Sequence, residues 1–508
     1  MSPRLALLVI AVVFAILNAD ITTVNVALVT VGKDLHSDLE DLQWGLNSYM
    51  LAFAALIVAA GRLADVFGHR RCLLAGSFLF AIASLICGIA PTLSVLVIGR
   101  VLQGAGAALM LPAGMAIVSA VYSGEQRAVA LGTLVGVGGV AQSIGALVGG
   151  FLTAEVSWRF VFLINLPLIA VIMIIALRGV PKSRAEITRR IDIAGVAILA
   201  LALTSLLIGL DLTDGSGRNL QLALGLIVLS LVLFGVFTIV ERQTSNAIVD
   251  GKLLRIPPFL CSCVASCLLG FVFFLFLFIA AVYLQEELGY SALTAGIALA
   301  PFSLVLAVTG VMAGRLTSRF PLRSLLIASC VSMALGLAIL SFLPASYGYL
   351  GMLFPFLLVA VGAGPGFTLL NTAGLAAVPS ERSGQATGII YMFRFGGGAI
   401  GVAVASTLHG VFFHSQLVAR LSETPLSVAQ QKVLEQPGAI ERLSQLESGL
   451  VASQMEQVRL AFHESFAAAF ANTLRLNVIL PMVIMVLVMM LIKREVRLKN
   501  TQSRDVGG

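Results

Sequence analysis

The sequence GRLADVFGHR, residues 61–70, recurs in degraded form as GRLTSRFPLR, residues 314–323, about half a chain further on. A second repeat pairs the Gly-Ala-Gly sequence at 104–106 with the same three residues at 362–364, at a similar offset. Two separate repeats with similar offsets predict two homologous halves. Because each copy of the longer stretch joins two apolar runs, the halves are predicted to be helical membrane units that rock about a central site.

The composition indicates a polytopic membrane protein. Of 508 residues, 59% are hydrophobic and 11% are charged, with a mean hydropathy of +1.01. Soluble domains carry about 25% charged residues, so a globular enzyme with a small anchor is excluded. A membrane-spanning helix needs about 20 apolar residues. On that basis we predict fourteen spans, near 5–29, 43–61, 72–90, 94–118, 128–152, 160–178, 193–210, 220–240, 259–284, 292–314, 324–343, 348–372, 385–410 and 469–492.

The basic residues predict the orientation of these spans. Most of the 32 Lys and Arg residues fall in loops on one side of the predicted bundle, which places that side, with the N- and C-termini, in the cytoplasm. The net charge of +7 then reflects topology and contact with anionic lipid, so no nucleic-acid partner is expected. The predicted organisation is a six-helix half at 1–190, two inserted helices at 191–256, a second six-helix half at 257–492 with an outer loop at about 413–466, and a cytoplasmic tail at 493–508.

Asp20 is the strongest candidate for a functional residue, because it lies within an otherwise uncharged apolar run. A carboxylate at that depth costs roughly 2.5–3.5 kcal/mol on insertion scales, so it indicates function by default. Arg100, in a later apolar run, is its predicted partner. Burial favours the neutral acid and a neighbouring cation favours the carboxylate, so entry of water or substrate can tip the balance. We predict a proton-coupling pair; the alternative is a static ion pair that fixes helix packing.

The repeated loop at 61–71 is predicted to be a gate. Asp65, Arg70 and Arg71 would hold the two halves together on the inner side through a charge network and a helix N-terminus, with Gly61 and Gly68 flanking the charges. The competing interpretation is a solvated turn whose cations follow the positive-inside rule.

Several motifs in this order resemble the major facilitator superfamily, and in particular its fourteen-span drug:proton antiporter branch of the EmrB/QacA type. The resemblance rests on DITTVNVAL at 20–28, the loop at 61–70, Arg100 with Gln103 and Gly104 in the fourth span, GALVGG at 145–150, and WRFVFLINLP at 158–167. DIAG at 192–195, YLQ at 283–285 and Gly289-Tyr290 add to it. The resemblance implies the superfamily fold and export of drugs or other small amphipathic compounds in exchange for protons.

Further residues are assigned to helix packing or to the cavity. Small residues allow close helix approach, and we expect that role for Gly104, Gly106, Gly145, Gly149 and Gly150. Interior polar and aromatic side chains are the candidates for contacts with cargo: Asn25, Tyr49, Phe53, Gln103, Gln142, Asn371, Tyr391 and Arg394. Arg394 could be a second interior cation or could lie near the inner surface with a structural partner.

The sequence also limits the other classes of function. Neither GK pair, at 32–33 or 251–252, is followed by Ser or Thr, so the phosphate-binding loop of an ATP-driven pump is missing. No cluster of His, Cys, Asp or Glu within spans predicts a catalytic or metal site, so we expect no enzyme, metal or cofactor, with the proton gradient as the energy source. The expected partners are a small-molecule substrate, protons and the lipid bilayer of the cell membrane; an envelope adaptor and the oligomeric state stay open.

Three functional alternatives remain at this point. Cargo can be broad, as in a multidrug exporter, or restricted to one metabolite such as a siderophore, antibiotic or peptide. Import is the third possibility within carriers. A non-transporting membrane sensor belongs to a different class, and a flux assay would separate it from a carrier.

Overall fold

The protein is almost entirely helical in the part of the chain that the structure describes. The structure is a computed structural model. It describes residues 3–35, 39–122, 124–179, 193–212, 220–243, 251–343, 348–379, 382–421 and 452–492. The predicted tail at 493–508 lies outside these residues, as does the boundary at 190–191 between the first half and the inserted helices.

Seventeen α-helices and one π-helical turn follow one another in the described residues. The helices are α1 (Pro3–Leu35), α2 (Leu39–Phe67), α3 (His69–Gly88), α4 (Leu93–Val121), α5 (Gly124–Glu155), α6 (Phe160–Leu163), α7 (Asn165–Gly179), α8 (Ile193–Asp211), α9 (Leu220–Gln243), α10 (Gly251–Leu254), α11 (Pro257–Val282), α12 (Ala292–Leu316), α13 (Leu322–Phe342), α14 (Gly348–Ala376), α15 (Ser383–Leu421), α16 (Ala452–Asn477) and α17 (Ile479–Leu491), with the π turn at Tyr283–Glu287.

Helices that could cross a membrane dominate the described residues. Twelve segments are long and apolar enough to do so, which agrees with the predicted all-α polytopic class. The run predicted near 193–210 is a shorter apolar helix at Ala194–Leu206, and the run near 385–410 forms the first part of α15, which is not among the twelve. The count of fourteen spans therefore stays a prediction.

The two Gly-Ala-Gly repeats occupy equivalent places in the bundle. In the first half α4 packs between α2 and α3, and in the second half α14 packs between α12 and α13. A Cβ on Gly104 would lie 2.3 Å from the carbonyl oxygen of Tyr49, and one on Gly106 would lie 2.8 Å from the amide nitrogen of Phe80. A Cβ on Gly364 would likewise lie 2.3 Å from the Leu306 carbonyl oxygen. Without a side chain at these positions the helix backbones can touch, as small residues allow in membrane bundles.

Glycines also line the two largest contacts between the halves among the described residues. Helix α5 lies against α12, where a Cβ on Gly132 would be 2.5 Å from the Gly310 carbonyl oxygen. Helix α2 lies against α15, where a Cβ on Gly61 would be 2.6 Å from the Gly384 carbonyl oxygen. At these glycines the backbones of the two halves approach each other closely.

Helices α8 and α9, which were predicted to be an insertion, lie at the edge of the bundle. Helices α8 and α9 pack on each other, with the Ser230 hydroxyl donating to the Ala202 carbonyl over 2.8 Å, and α8 contacts α2 and α15. Much of α9 exposes large apolar side chains such as Leu224, Val228 and Leu231. An apolar outer face of this kind is suited to lipid.

The predicted outer loop at about 413–466 is helical at both of its ends. Helix α15 continues to Leu421 and α16 begins at Ala452, so these helices extend beyond the predicted spans. They pack through a small apolar cluster of Leu417, Leu421, Val458, Ala461 and Phe462, and the Arg420 guanidinium pairs with the Glu464 carboxylate. Residues 422–451 lie outside the described part of the chain.

Candidate functional site

Asp20 and Arg100 meet in the interior of the first half. The Arg100 Nη1 donates to the Asp20 Oδ2 over 2.5 Å, and the two side chains are 0% and 1% exposed. The structure therefore brings together the acid and the cation that the sequence paired. Because an unpaired ion at this depth is costly, each charge stabilises the other.

A polar network surrounds the pair, and both oxygens of the Asp20 carboxylate accept hydrogen bonds. The Asn165 amide donates to the second carboxylate oxygen of Asp20 over 3.0 Å. Arg100 also donates to the side-chain oxygen Oε1 of Gln103 over 2.8 Å, and the Gln103 Nε2 in turn donates to the Ser84 hydroxyl over 2.8 Å. These residues come from α1, α3, α4 and α7. A change in the charge of Asp20 therefore alters a hydrogen-bond network that joins four helices.

Tyr49 covers the cationic side of this network. The Arg100 guanidinium lies 4.4 Å from the centre of the Tyr49 ring, and Phe53 stacks one turn further along α2. Both aromatic residues were candidates for cargo contacts, and both are buried in this arrangement. A flat aromatic face stabilises a guanidinium that is removed from water.

The close contact between α1 and α5 fixes the position of Asp20. Thr22 donates to the Gln142 carbonyl over 2.8 Å, and Thr23 donates to the Gly145 carbonyl over 2.9 Å. A Cβ on Gly145 would lie 2.7 Å from the Ala19 carbonyl oxygen, and one on Gly149 would lie 2.8 Å from the Thr23 backbone. The two glycines thus hold the segment that carries Asp20. Gly150 is half-buried in the same helix.

Gln142 contacts α1 through Asn18, a residue that the sequence did not single out. Its side-chain amide donates to the Asn18 oxygen over 3.3 Å, two residues before Asp20 in α1. Asn25 is part of α1, but its side chain lies outside the described part of the chain.

A second buried cation occupies the other half. Arg394 of α15 is 5% exposed and donates from Nη2 to the Asn371 Oδ1 of α14 over 3.0 Å. Its guanidinium lies 4.6 Å from the ring centres of both Phe367 and Tyr391. Of the two positions that the sequence left open for Arg394, the structure shows the interior one.

Asp65 reaches across the contact between α2 and α15. Its two carboxylate oxygens accept hydrogen bonds from the Gly384 and Gln385 amides, over 3.0 and 2.7 Å. These amides belong to the first turn of α15, where the backbone N–H groups and the helix dipole favour an anion. Asp65 of the first half thus binds the N-terminal end of α15 in the second half.

The remaining residues of the gate stay within the first half. Arg70 donates to the Leu177 carbonyl of α7, and Arg71 is exposed. The chain turns sharply between α2 and α3 at Gly68, whose φ of 93° lies in the region that disfavours a side chain. Of Asp65, Arg70 and Arg71, Asp65 bonds the second half, and neither arginine has a hydrogen bond to it among the described residues.

Asn165 and Ser84 are the members of the network that the sequence reasoning missed. Asn165 belongs to the stretch at 158–167 that was quoted only for its resemblance. Both are polar residues in apolar helices, and buried polar groups in a membrane interior usually have partners. That signal could have pointed to them as a set, although not to their individual contacts.

Comparison with known proteins places the chain in a family. Residues 8–402 match the model of the Major Facilitator Superfamily. The lincomycin resistance protein of Streptomyces lincolnensis is 32% identical over 410 residues, which cover 78% of this chain and 82% of that protein. The multidrug resistance protein Stp of Mycobacterium tuberculosis (strain CDC 1551 / Oshkosh) is 30% identical over 421 residues, covering 82% and 77%.

A solved structure agrees with the fold. The proton:xylose symporter XylE, bound to 6-bromo-6-deoxy-D-glucose, aligns over 94% of each chain with a TM-score of 0.56 and 15% sequence identity. The fold and the matched residues define a multi-pass membrane transporter of small molecules. The chain belongs to the Major Facilitator Superfamily, and antibiotic and multidrug resistance proteins are among its relatives.

Proposed function

We propose that the protein exports drugs or other small amphipathic compounds across the cell membrane in exchange for protons. The observation that carries the proposal is the buried ion pair of Asp20 and Arg100, joined to four helices by hydrogen bonds. An intramembrane acid of this kind is expensive to keep, and proton relays are among the uses that justify it.

The proposed exchange uses the competition between a proton and cargo at Asp20. When the cavity is open to the cytoplasm, bound cargo favours the charged carboxylate and its pairing with Arg100, and the proton leaves. When the cavity is open to the outside, cargo departs and water brings a proton back to Asp20. Protonation removes the negative charge that holds the Arg100 guanidinium and the Asn165 amide, so the four helices repack.

Asp65 supplies the other switch in this scheme. The Asp65 carboxylate bonded to the first turn of α15 keeps α2 and α15 together at the end of the bundle that we assign to the cytoplasm. Breaking two charge-assisted hydrogen bonds lets that end open, while the glycines at the contacts let the helix backbones shift against each other. Alternating access then follows from two switches, the protonation of Asp20 and the contact of Asp65 with α15.

The same proposal extends to topology and branch. We infer fourteen spans, with α8 and α15 added to the twelve apolar segments, and with both termini in the cytoplasm of a bacterial cell. The peripheral position of α8 and α9 supports this, because two added helices at the edge leave the two six-helix halves intact. This is the arrangement of the drug:proton antiporter branch that the sequence motifs resemble.

A second candidate is an exporter dedicated to one antibiotic. The relative from Streptomyces lincolnensis is named for resistance to a single antibiotic, whereas Stp is named for many. The breadth of the cargo depends on the walls of the cavity, which differ between such proteins while the fold does not.

Efflux measurements test the proposal directly. A panel of dyes and antibiotics that includes lincomycin is loaded into cells lacking their own pumps, with and without the protein and with and without an uncoupler. We expect faster efflux with the protein and loss of that gain with the uncoupler. Efflux that the uncoupler leaves untouched would overturn the proton coupling, and a complete absence of flux would favour the sensor. One exported compound out of many would favour the dedicated exporter.

A further inference from the structure

Arg394 is a buried cation without a carboxylate partner in the described part of the chain. Its contacts there are the Asn371 oxygen and the rings of Phe367 and Tyr391, all of them neutral groups. Burying a guanidinium among neutral groups is costly unless its remaining donors are satisfied. Arg100, by contrast, has a carboxylate partner, since its Nη1 lies 2.5 Å from the Asp20 Oδ2.

Two polar groups at this place have no hydrogen-bond partner within the described ranges. The Nε of Arg394 and the Nδ2 of Asn371 are both buried N–H donors without an acceptor among the described residues. Arg394 is 5% exposed and Asn371 is 1% exposed, so water at the surface does not satisfy them. Buried donors without an acceptor are uncommon, and each one indicates either strain or a missing ligand.

The position of Arg394 connects it to the surface where the halves meet. Phe395, the next residue, meets Phe53 of α2 edge to face, with ring centres 5.0 Å apart. Tyr391 and Phe395 lie 6.0 Å apart along α15, and Tyr49 and Phe53 lie 6.3 Å apart along α2. A row of four aromatic rings therefore runs from Arg100 in one half to Arg394 in the other.

We propose that Arg394 and Asn371 form a subsite for an anionic or strongly hydrogen-bond-accepting group of the cargo, with a carboxylate as the best fit. This inference rests on the proposed function and names the class of cargo. A carboxylate can accept hydrogen bonds from the unpartnered N–H groups, and the guanidinium supplies the opposite charge. The aromatic row receives the apolar body of the same molecule when the halves separate.

The subsite discriminates against cationic cargo. A cation placed beside Arg394 would meet like charge in an apolar surrounding, which raises the cost of its binding. The span near 292–314, which is α12 in the structure, holds no acid that could attract a dication. An amphipathic acid, by contrast, would neutralise the Arg394 guanidinium.

A pair of dyes tests the inference on the full-length protein reconstituted in lipid nanodiscs. One is a xanthene dye with a free carboxylate, and the other is the methyl ester of the same dye. Dissociation constants are measured by fluorescence anisotropy without any proton gradient. Wild-type protein is expected to bind the acid about tenfold more tightly than the ester, as one charge-assisted interaction allows.

Variants identify the residue responsible. Arg394→Gln should remove the preference for the acid by weakening its binding about tenfold while changing that of the ester less than about twofold, and Arg394→Lys should keep part of the preference. Arg475→Gln is the matched control, because Arg475 also bonds an asparagine, Asn472, and lies 5.0 Å from the Phe342 ring centre, but is exposed. It should bind both dyes as wild type does.

The opposite results overturn the inference without touching the proposed function. Equal binding of acid and ester by wild-type protein would do so even if Arg394→Gln failed to fold, since that comparison needs no variant. Equal weakening of both dyes in a folded Arg394→Gln protein would assign Arg394 to packing. Proton-driven efflux of the ester alone would support the exporter and exclude the acid subsite, whereas preferential binding of the acid by a protein that does not transport would support the subsite and exclude the exporter.

Discussion

Arg100 and Arg394 are both buried guanidiniums that lie against aromatic rings, one in each half of the molecule. The first is neutralised by Asp20 and bonded to Gln103, whereas the contacts of the second among the described residues are with neutral groups, the Asn371 oxygen and the rings of Phe367 and Tyr391. A neutralised pair can stay in an apolar interior and still change charge by gaining one proton. A buried cation without a carboxylate partner has N–H donors that are not satisfied, and its environment favours a molecule that brings a hydrogen-bond acceptor. The difference suggests that energy coupling and cargo recognition are divided between the halves.

The largest effect is expected from a change that makes the first half resemble the second. Asp20→Asn leaves Arg100 without a carboxylate and prevents any proton exchange at this position. We expect cargo efflux driven by the proton gradient to fall to the level seen with an uncoupler. Efflux is measured in cells lacking other pumps, with the amount of protein in the membrane determined in parallel. Gradient-driven transport at the wild-type rate by a well-inserted Asp20→Asn protein would exclude the coupling role.

The converse substitution removes the cation of the pair and keeps the acid. Arg100→Ala leaves a buried carboxylate uncompensated, which typically costs about 3–5 kcal/mol, so lower thermal stability and lost coupling are expected. Arg100→Lys keeps the charge but loses the second hydrogen bond that the planar guanidinium allows, and it should retain part of the transport. Thermal unfolding and efflux are measured for both variants. If alanine and lysine behaved alike, and like wild type, the pair would have no role.

A third change makes the second half resemble the first. Asn371→Asp places a carboxylate beside Arg394 and so supplies internally what we propose that cargo supplies. Binding of the carboxylate dye should weaken about tenfold, because the cation is already neutralised. Binding of the methyl ester serves as the internal control and should change little. Unchanged binding of the acid would indicate that Arg394 does not contact it.

The glycine contact that holds Asp20 can be tested by a single methyl group. A Cβ at position 145 would lie 2.5 Å from the Thr22 hydroxyl oxygen and 2.7 Å from the Ala19 carbonyl, so Gly145→Ala forces α1 and α5 apart. Overpacking of this kind costs about 1–3 kcal/mol. Gly225→Ala on the peripheral helix α9, where a Cβ meets nothing within 4 Å, is the matched control. A lower unfolding temperature is expected for the first variant alone.

The smallest effect is expected at the gate. Asp65→Asn keeps a side chain of the same size but loses the negative charge at the first turn of α15, an interaction typically worth about 0.3–1 kcal/mol. We expect a reduction of transport by a few-fold and more frequent opening of the α2–α15 contact. Labels on cysteines introduced on either side of that contact would report the opening by their distance distribution. An unchanged distribution would contradict the role of Asp65 in closing the halves.

The fold class and the chemistry of the first half were predictable from particular residues. Asp20 and Arg100 stand out because charge is rare within apolar runs, so their pairing follows from cost alone. The repeat at 61–70 and 314–323 indicates two related halves, and its single acid in the first copy indicates a gate. Asp65 was predicted to use a helix N-terminus, but the sequence did not say which helix. The predicted contributions of Arg70 and Arg71 to a contact between the halves stay untested predictions.

The sequence by itself determined that this is a helical membrane protein with charges in its interior, because hydropathy and the position of rare charges depend only on the order of residues, and its motifs added the resemblance to a family of transporters. Only the tertiary structure decided that Asn165 and Ser84 belong to the Asp20 network, that Asp65 meets α15, and that Arg394 lies against Phe367 and Tyr391 without a carboxylate. Each of these depends on which helix faces which. Glycine contacts fix that pairing of helices through the distance between backbones, and the identity of a partner helix across half a chain leaves little trace in the local sequence.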